Sequence, residues 1–99
     1  MVSETHTVTK LMAANVSEYA RGMERLTHDM VSRTDNQATI IDLPGGSVTV
    51  TYTTKEGRRL SPLLVMPAAD VVFAFAGVAE PDRNAFIAKF DLVFQRGGG

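Results

Sequence analysis

The side chains able to perform acid–base or metal chemistry are few and lie far apart in the sequence. The chain has two histidines, His6 and His28, and no cysteine, so disulfides and thiolate metal sites are excluded. His28 precedes Asp29, but residues one apart on a helix do not face each other. Isolated histidines do not provide the ligand clusters that metal sites need. We therefore expect no catalytic residue, no metal site, no cofactor and no enzymatic activity.

Three aspartates, Asp42, Asp70 and Asp91, lie in or beside predicted strands. Asp91 falls on the polar side of its segment beside Lys89, which favours a surface position over general acid–base catalysis. An alternative function remains open, namely a small-ligand-binding or enzymatic domain with an apolar pocket between a helix and the sheet. The polar groups of that pocket would come from four residues: Tyr19, Tyr52, Asp42 and Asp70.

A basic cluster is formed by Lys55, Arg58 and Arg59. Such a cluster is able to contact phosphate, and a nucleic-acid binder that uses residues 55–59 is a second alternative function. Against it, Glu56 lies inside the cluster, and the net charge is −1 with a pI of about 6.1. No aromatic residue is interleaved to stack on bases. The sequence therefore favours a solvated turn, and nucleic acid is not the expected partner.

The length and composition predict one small domain spanning residues 1–99. The chain is 44% apolar, and a domain of this size often gains stability from a partner. The first ten residues lack the apolar segment of a signal peptide, and the longest apolar run, residues 71–79, is too short to cross a membrane. We expect a cytoplasmic protein of bacterial or phage type, with residues 1–7 frayed and residues 97–99 forming a flexible tail.

Apolar residues in the first third of the chain recur at helical spacing. Steps of four and three residues place them on one face of a helix that we predict over residues 8–32. The residues of this stripe are Met12, Val16, Tyr19, Met23, Leu26 and Met30. Gly22 is expected to weaken the helix by roughly 1 kcal/mol relative to alanine. The turn-forming residues 34–36 then end the helix.

Beyond residue 37 the pattern alternates at strand spacing and predicts an antiparallel meander. We expect strands at residues 38–43, 47–53, 58–66 and 71–79. Pro44 and Gly45 occupy the positions that a type II turn prefers. A hairpin connection at residues 55–57 and a loop at residues 66–70 separate the later strands. Pro62 cannot donate to a strand ladder, so the strand that contains it should be an edge or carry a bulge.

Residues 85–96 fit two structures. A strand places Phe86, Phe90 and Phe94 on one face, whereas a helix aligns Phe86, Phe90 and Val93. The strand accounts for more residues and agrees with the aromatic content. The predicted fold is therefore α+β, with one long N-terminal amphipathic helix packed on a five-stranded antiparallel β-meander. The alternative fold has a helical last element, giving a helix, four strands and a second helix.

All five phenylalanines lie in the last two predicted strands, where they would form the main core cluster beneath the helix. These residues are Phe73, Phe75, Phe86, Phe90 and Phe94. The opposite face of the strand at residues 71–79 is apolar as well, and one helix cannot cover both faces of a sheet. Another chain, the curl of the sheet itself or a loop would have to cover that second face.

These features favour a small non-enzymatic protein-interaction module, such as an adaptor, an inhibitor or an assembly subunit, that acts through an apolar surface. The partner would be another protein or a second copy of the chain, and a symmetric homodimer is expected. Methionines, which are common at adaptable binding surfaces, occur in the helical stripe. The residues predicted to contact the partner are Met12, Tyr19, Met23, Val72, Ala74, Ala76 and Val78.

Overall fold

The computed structural model describes residues 5–35 and 38–97, and for residues 56–60, 64–67 and 95–97 it describes the backbone alone. Its elements are β1 Thr5–Met12, α1 Val16–Thr27, β2 Ser32–Asp35, β3 Ala38–Leu43, β4 Gly46–Ser61, β5 Leu64–Ala76 and α2 Glu80–Gly97. The five strands form one antiparallel sheet in the order β1-β5-β4-β3-β2. The expected α+β class and the five-stranded antiparallel sheet are thereby confirmed, but the predicted meander is wrong at one edge, because β1 pairs with β5, the last strand of the chain.

The first element is a strand, so the helix predicted for residues 8–32 is wrong at residues 8–15 and again after residue 27. Each residue of β1 pairs with one of β5, from Thr5 with Ala76 to Met12 with Ala69. Threonine at alternate positions suits a strand because β-branched side chains pack well on a pleated surface. The helix α1 covers only residues 16–27.

A capping box fixes the start of α1. The Asn15 side chain accepts a hydrogen bond from the Glu18 amide at 2.8 Å, and the Glu18 carboxylate accepts one from the Asn15 amide at 3.0 Å. Both bonds satisfy amide groups that lack a partner inside the helix. Because Asn15 has an extended backbone with φ −83° and ψ 175°, the helix does not continue back into β1.

β3 has its predicted bounds, and the turn that follows it is confirmed. The chain turns at Pro44 and Gly45, and the φ of Gly45 is +83°. A positive φ at the third residue is what a type II turn requires, and glycine adopts it without steric cost.

β4 and β5 form one long hairpin, so the predicted connection at residues 55–57 and the loop at residues 66–70 are wrong. The chain turns instead at residues 62–63, which places Pro62 in the turn. The pairing register shifts between Lys55, opposite Ala68, and Arg58, opposite Met66. Two residues of β4 therefore lie opposite Pro67 alone, which is a bulge at the one residue of β5 that has no amide to donate.

Residues 80–97 form α2, so the strand favoured for residues 85–96 is wrong and the helical alternative is confirmed. β5 already has β1 on one side and β4 on the other, so a further strand after β5 has no place beside it. Gly77, with φ +73°, turns the chain out of the sheet at the end of β5. Pro81 lies in the first turn of α2, where its missing amide costs no helical hydrogen bond.

Both helices pack on the same face of the sheet and bury one aromatic core. Phe73 of β5 contacts Phe86 and Phe90 of α2 edge-on, with ring centroids 6.0 and 4.8 Å apart. α1 contributes Met23 and Leu26 to the same cluster. The predicted aromatic core is confirmed in that four phenylalanines are at most 3% exposed, and Phe94 packs against the cluster.

The two helices approach each other closely at Gly22. A Cβ atom added there would lie 2.9 Å from Cδ1 of Phe94 and closer still to two other atoms of that ring. The ring of Phe94 is held in turn by Phe90, with centroids 4.3 Å apart. The expected role of Gly22 was a weak point in the helix, but the structure shows that it also makes room for an aromatic ring.

Several predicted features lie partly outside the described residues. Residues 5–7 of the predicted frayed segment belong to β1, and residues 1–4 are not described. Of the predicted tail, Gly97 ends α2, and residues 98–99 are not described. Asn36, the last of the residues predicted to end the first helix, is not described either. Across residues 5–35 and 38–97, neither helix combines the length and the apolar character needed to cross a membrane.

Candidate functional site

The face of the sheet opposite the two helices is covered by no other element in the described part of the chain. We call it the open face. It is formed by alternate residues of the strands, beginning at Thr5 in β1, Ala68 in β5, Ser47 in β4 and Ala38 in β3. None of these alternate side chains is buried, whereas their neighbours in β5, such as Phe73, are completely buried. The sheet therefore has one side in the core and one side free.

The centre of the open face is small and uncharged. In β5 it presents Val72, Ala74 and Ala76, all half-buried. Ala74 lies between Thr7 of β1 and Thr49 of β4. A column of small apolar side chains is thus flanked by threonines of β1 on one side and by serine and threonine of β4 on the other. Their hydroxyl groups suit contact with either water or another surface.

Charges on the open face lie at its margins. At one end, Lys55 Nζ lies 3.4 Å from the carboxylate of Asp70. On the far side, Asp42 in β3 and both Arg33 and Asp35 in β2 are exposed. The uncharged centre is therefore framed by groups of both signs.

The seven residues predicted to contact a partner lie in different places. Val72, Ala74 and Ala76 share the open face, as their alternation predicted. Met23 and Val78 are each 6% exposed and belong to the core, and Met12 and Tyr19 pack against that core. Val78 leaves the predicted set because β5 ends at Ala76, so the alternation does not extend to it. The helical stripe is thus used within the molecule except at Val16, which is 60% exposed.

Two of the four residues of the alternative ligand pocket meet, and two do not. The rings of Tyr19 and Tyr52 are stacked, with centroids 4.4 Å apart, beside a cavity of about 450 Å³ that Val16 also lines. Asp42 and Asp70 lie on the open face, on the other side of the sheet. No acid–base pair is assembled from these four side chains.

The two tyrosine hydroxyls have different surroundings. Tyr52 donates a hydrogen bond of 2.7 Å to the Ala14 carbonyl. The Tyr19 hydroxyl is buried and has no hydrogen-bond partner within the described residues. Burial, with a smaller contribution from Tyr52, raises the pKa of Tyr19 to about 12. Burial, followed by the negative charge of Glu18, also raises the pKa of Tyr52. Both groups are thus neutral hydroxyls at ordinary pH.

The histidines and the remaining aspartates serve no common centre. His6 is exposed in β1, and His28 is exposed at the C-terminal cap of α1. Among residues 5–35 and 38–97, no three histidine, aspartate or glutamate side chains gather as a metal site would require. Asp91 pairs with Lys10 of β1, in keeping with the surface position expected for it.

A second ion pair links α2 to the segment after α1. Lys89 Nζ lies 3.0 Å from the carboxylate of Asp29. The hydrogen bond from Lys89, together with its charge, holds the pKa of Asp29 below its usual range. The pair is exposed, so we assign it a minor structural role.

The basic cluster does not form a turn. Lys55 lies on the open face and is paired with Asp70. Arg58 and Arg59 lie in β4, opposite Met66 and Val65, and their side chains are outside the described part of the structure. These residues belong to a stretch of the β4–β5 hairpin that extends past the last pair of β1 with β5, Met12 with Ala69.

The sequence reasoning missed β1 altogether, and with it one side of the open face. Thr5, Thr7 and Thr9 alternate with residues directed to the core, such as Val8. This period of two is present in the sequence, but the prediction placed residues 1–7 in a frayed segment and residues 8–12 in a helix. The Asn15-x-x-Glu18 capping signal would have placed the start of the helix correctly.

Comparison with known proteins provides no further assignment. No family model matches the chain, and no curated protein or solved structure is similar enough to count as a match.

Proposed function

We propose that this chain is a small non-enzymatic protein-interaction module that pairs with a second copy of itself through the open face. The observation that carries the proposal is a sheet face that is uncharged at its centre, built of small residues and left uncovered by both helices. Two such sheets pack face to face at about 10 Å when their side chains are small. Val72, Ala74 and Ala76 would lie at the centre of the contact.

The charge distribution supports a buried role for this face. Charged residues make up 21% of the chain, yet the nine central positions of β1, β5 and β4 carry none. These positions are Thr5, Thr7, Thr9, Val72, Ala74, Ala76, Ser47, Thr49 and Thr51. A self-complementary contact needs no opposite charges because the same uncharged patch occurs on both copies.

The size of the face is consistent with a weak dimer. Strands about 4.8 Å apart, with a rise of about 3.3 Å per residue, give the open face an area on the order of 400–500 Å² per copy. Two copies would bury roughly 1,000 Å², which is at the lower limit for a specific interface. We therefore expect an association that depends on concentration.

The cellular location that we propose is a bacterial or phage-related cytoplasm, where the chain would act as an adaptor, an inhibitor or an assembly subunit. The lack of cysteine supports a reducing compartment. Neither alternative function has comparable support. The aspartates needed for a ligand pocket lie across the sheet from the tyrosines, and Lys55 of the basic cluster is already paired with Asp70.

Light scattering on the purified chain over increasing concentration, up to about 100 µM, tests the proposal. The mass should rise toward that of two chains. Ala74→Arg places a charge at the centre of the open face and should keep the protein monomeric, with an unchanged circular dichroism spectrum. The matched control is Ala88→Arg, because Ala88 is exposed on α2 and lies away from the open face.

Two outcomes would contradict the proposal. One is a wild-type mass of a single chain throughout the concentration range. The other is a dimer that Ala74→Arg leaves intact.

A further inference from the structure

The two edges of the sheet differ in how well they resist pairing with another strand. β2 has four exposed residues and includes Arg33 and Asp35, and short charged edges discourage added strands. β1 has eight residues and pairs with β5 on one side only, as far as the structure describes the chain. Its single charged residue, Lys10, is bound to Asp91. β1 is therefore a long edge without the usual protection.

A cavity adjoins this edge at the end of β1. Its volume is about 350 Å³, and it is lined by five consecutive residues, 10–14, together with Phe90 and Phe94 of α2. Lys10, Leu11 and Met12 belong to β1, where successive side chains alternate between the two faces of the sheet. A cavity that touches all three therefore follows the backbone at the end of the strand. Since no residue of β5 lines it, it lies toward the unpaired side of β1.

Four charged side chains line the cavity, and three of them already form an ion pair or a hydrogen bond within the chain. Lys10 and Asp91 pair with each other, and the Glu18 carboxylate accepts the Asn15 amide in the capping box. Arg25 also lines the cavity, and it forms no ion pair with the described residues. The four charges balance in sign, and Arg25 is the cation that an incoming carboxylate would find without an ion-pair partner among the described residues.

We infer that the free edge of β1 and this cavity together bind an extended segment of another polypeptide. A row of unpaired amide and carbonyl groups is complemented by extended backbone, which would add a sixth strand beside β1. One large apolar side chain of that segment would enter the cavity above Phe90 and Phe94. An acidic residue near this anchor would meet Arg25.

This site is separate from the surface of the proposed function. The added strand would lie at the edge of the sheet, whereas the pairing of two copies uses the open face. A dimer could therefore hold two extended segments at once.

A library of random nine-residue peptides, displayed on phage and selected on the immobilised full chain, tests the inference. The enriched peptides should share one large apolar residue with an acidic residue near it. A synthetic copy of the tightest peptide is then methylated on one backbone amide at a time. Methylation at every second position should weaken binding by about tenfold or more, and methylation at the positions between should leave it unchanged, because alternate amides of a strand point toward its neighbour.

Protein variants locate the site. Ala13→Phe fills the cavity from an exposed lining position and should weaken the peptide by about tenfold, whereas Ala88→Phe on the exposed side of α2 should not. Arg25→Glu should weaken an acidic peptide, and Arg21→Glu, at an exposed position of the same helix, should not. Ala74→Arg should leave peptide binding unchanged, which separates this test from that of the dimer.

Failure to enrich any peptide would overturn the inference, as would equal effects of methylation at all positions. If Ala13→Phe dissolves the wild-type dimer and Ala74→Arg does not, β1 pairs with a second copy, and both the peptide site and the open-face dimer are wrong.

Discussion

Gly22→Ala should destabilise the protein, although the same change in an exposed helix would stabilise it. Residue 22 lies inside α1, where alanine is favoured over glycine by about 1 kcal/mol. Here the added methyl group meets the ring of Phe94, 2.9 Å from Cδ1 and closer to two further ring atoms. Ordinary contacts between carbon atoms are about 3.5–4.0 Å, so the ring must move by roughly 1 Å.

The ring of Phe94 cannot move without cost. It lies 4.3 Å from Phe90 and 6.0 Å from Tyr19, measured between centroids. Inserting a methyl group into a packed core of this kind costs about 1–3 kcal/mol. After the helical gain of about 1 kcal/mol is subtracted, we expect a net loss of roughly 1 kcal/mol. In a domain of this length that corresponds to a melting temperature lower by about 4–5 °C.

Thermal and urea unfolding of three variants measures the two contributions. Ala20→Gly, at an exposed position of α1, reports the helical contribution alone and should cost about 1 kcal/mol. Gly22→Ala reports the helical gain together with the clash. Combining Gly22→Ala with Phe94→Ala removes the clash, so that within the Phe94→Ala protein the change at residue 22 should be stabilising by about 1 kcal/mol.

The decisive result is that Gly22→Ala should destabilise the wild type but stabilise the Phe94→Ala protein. If Gly22→Ala stabilised the wild type as much as Ala20→Gly destabilised it, the close packing of Phe94 on α1 would be refuted.

Two further pairs of substitutions test the core and the tyrosines. Phe90→Ala removes a ring that is 2% exposed and should lower the free energy of unfolding in urea by about 3–5 kcal/mol. Lys89→Ala breaks an exposed ion pair and should lower it by less than about 0.5 kcal/mol. Similar losses of stability in the two variants would contradict the placement of Phe90. At neutral pH, Tyr19→Phe should raise stability by up to about 1 kcal/mol, because it removes a buried hydroxyl that has no hydrogen-bond partner among the described residues. Tyr52→Phe should lower stability by about 1 kcal/mol, because it removes the hydrogen bond to the Ala14 carbonyl. Stability should also fall as the pH rises from about 10, where an unfolded tyrosine ionises, toward the pKa of about 12 of folded Tyr19, since the unfolded chain releases its proton first. That fall should be shallower in Tyr19→Phe, and a pH dependence identical to that of the wild type would contradict the burial of this hydroxyl.

The parts of the fold that the sequence predicted well are those governed by local rules. The alternation of Val48, Val50 and Tyr52 placed them on the core face of β4. The Pro44-Gly45 pair located the turn between β3 and β4. In both cases neighbouring residues alone determine the backbone, so no knowledge of the rest of the fold was needed.

The last element was ambiguous for a geometric reason. Phe86, Phe90 and Phe94 are spaced by four residues, which is two full periods of a strand and close to one turn of a helix. The spacing alone cannot separate the two structures. What decides is that both sides of β5 are already occupied. This depends on β1, which comes from the other end of the chain and pairs with β5 along its whole length.

The error at the N-terminus had the same origin. Met12 lies four residues before Val16, so it extends the helical pattern of α1 backward by one turn. The structure places Met12 in β1 and Val16 at the start of α1. Because β1 was read as helix, β5 kept a free side in the predicted sheet, and a strand at residues 85–96 looked possible there. Both errors thus concern segments whose structure depends on the pairing of β1 with β5.

The candidate surfaces also divide into one that local sequence rules predict and one that depends on distant parts of the chain. The open face of β5 could be predicted because alternation within one strand defines it. The cavity could not, because its walls combine residues of α1 with residues of β1 and α2, and the type of the latter two elements was misassigned.

The two proposed surfaces rest on different forces, and this makes them separable. The open face would bind through side chains, by burial of small apolar groups that impose little direction on the partner. The edge of β1 would bind through backbone hydrogen bonds, which fix the direction and register of the added strand. A charge at Ala74 therefore affects only the first, because the backbone of β1 is unchanged. Methylation of a peptide amide affects only the second, because it leaves the open face intact. A chain of this size, with both helices on one side of its sheet, can thus use the remaining side for self-association and still offer an edge to a partner.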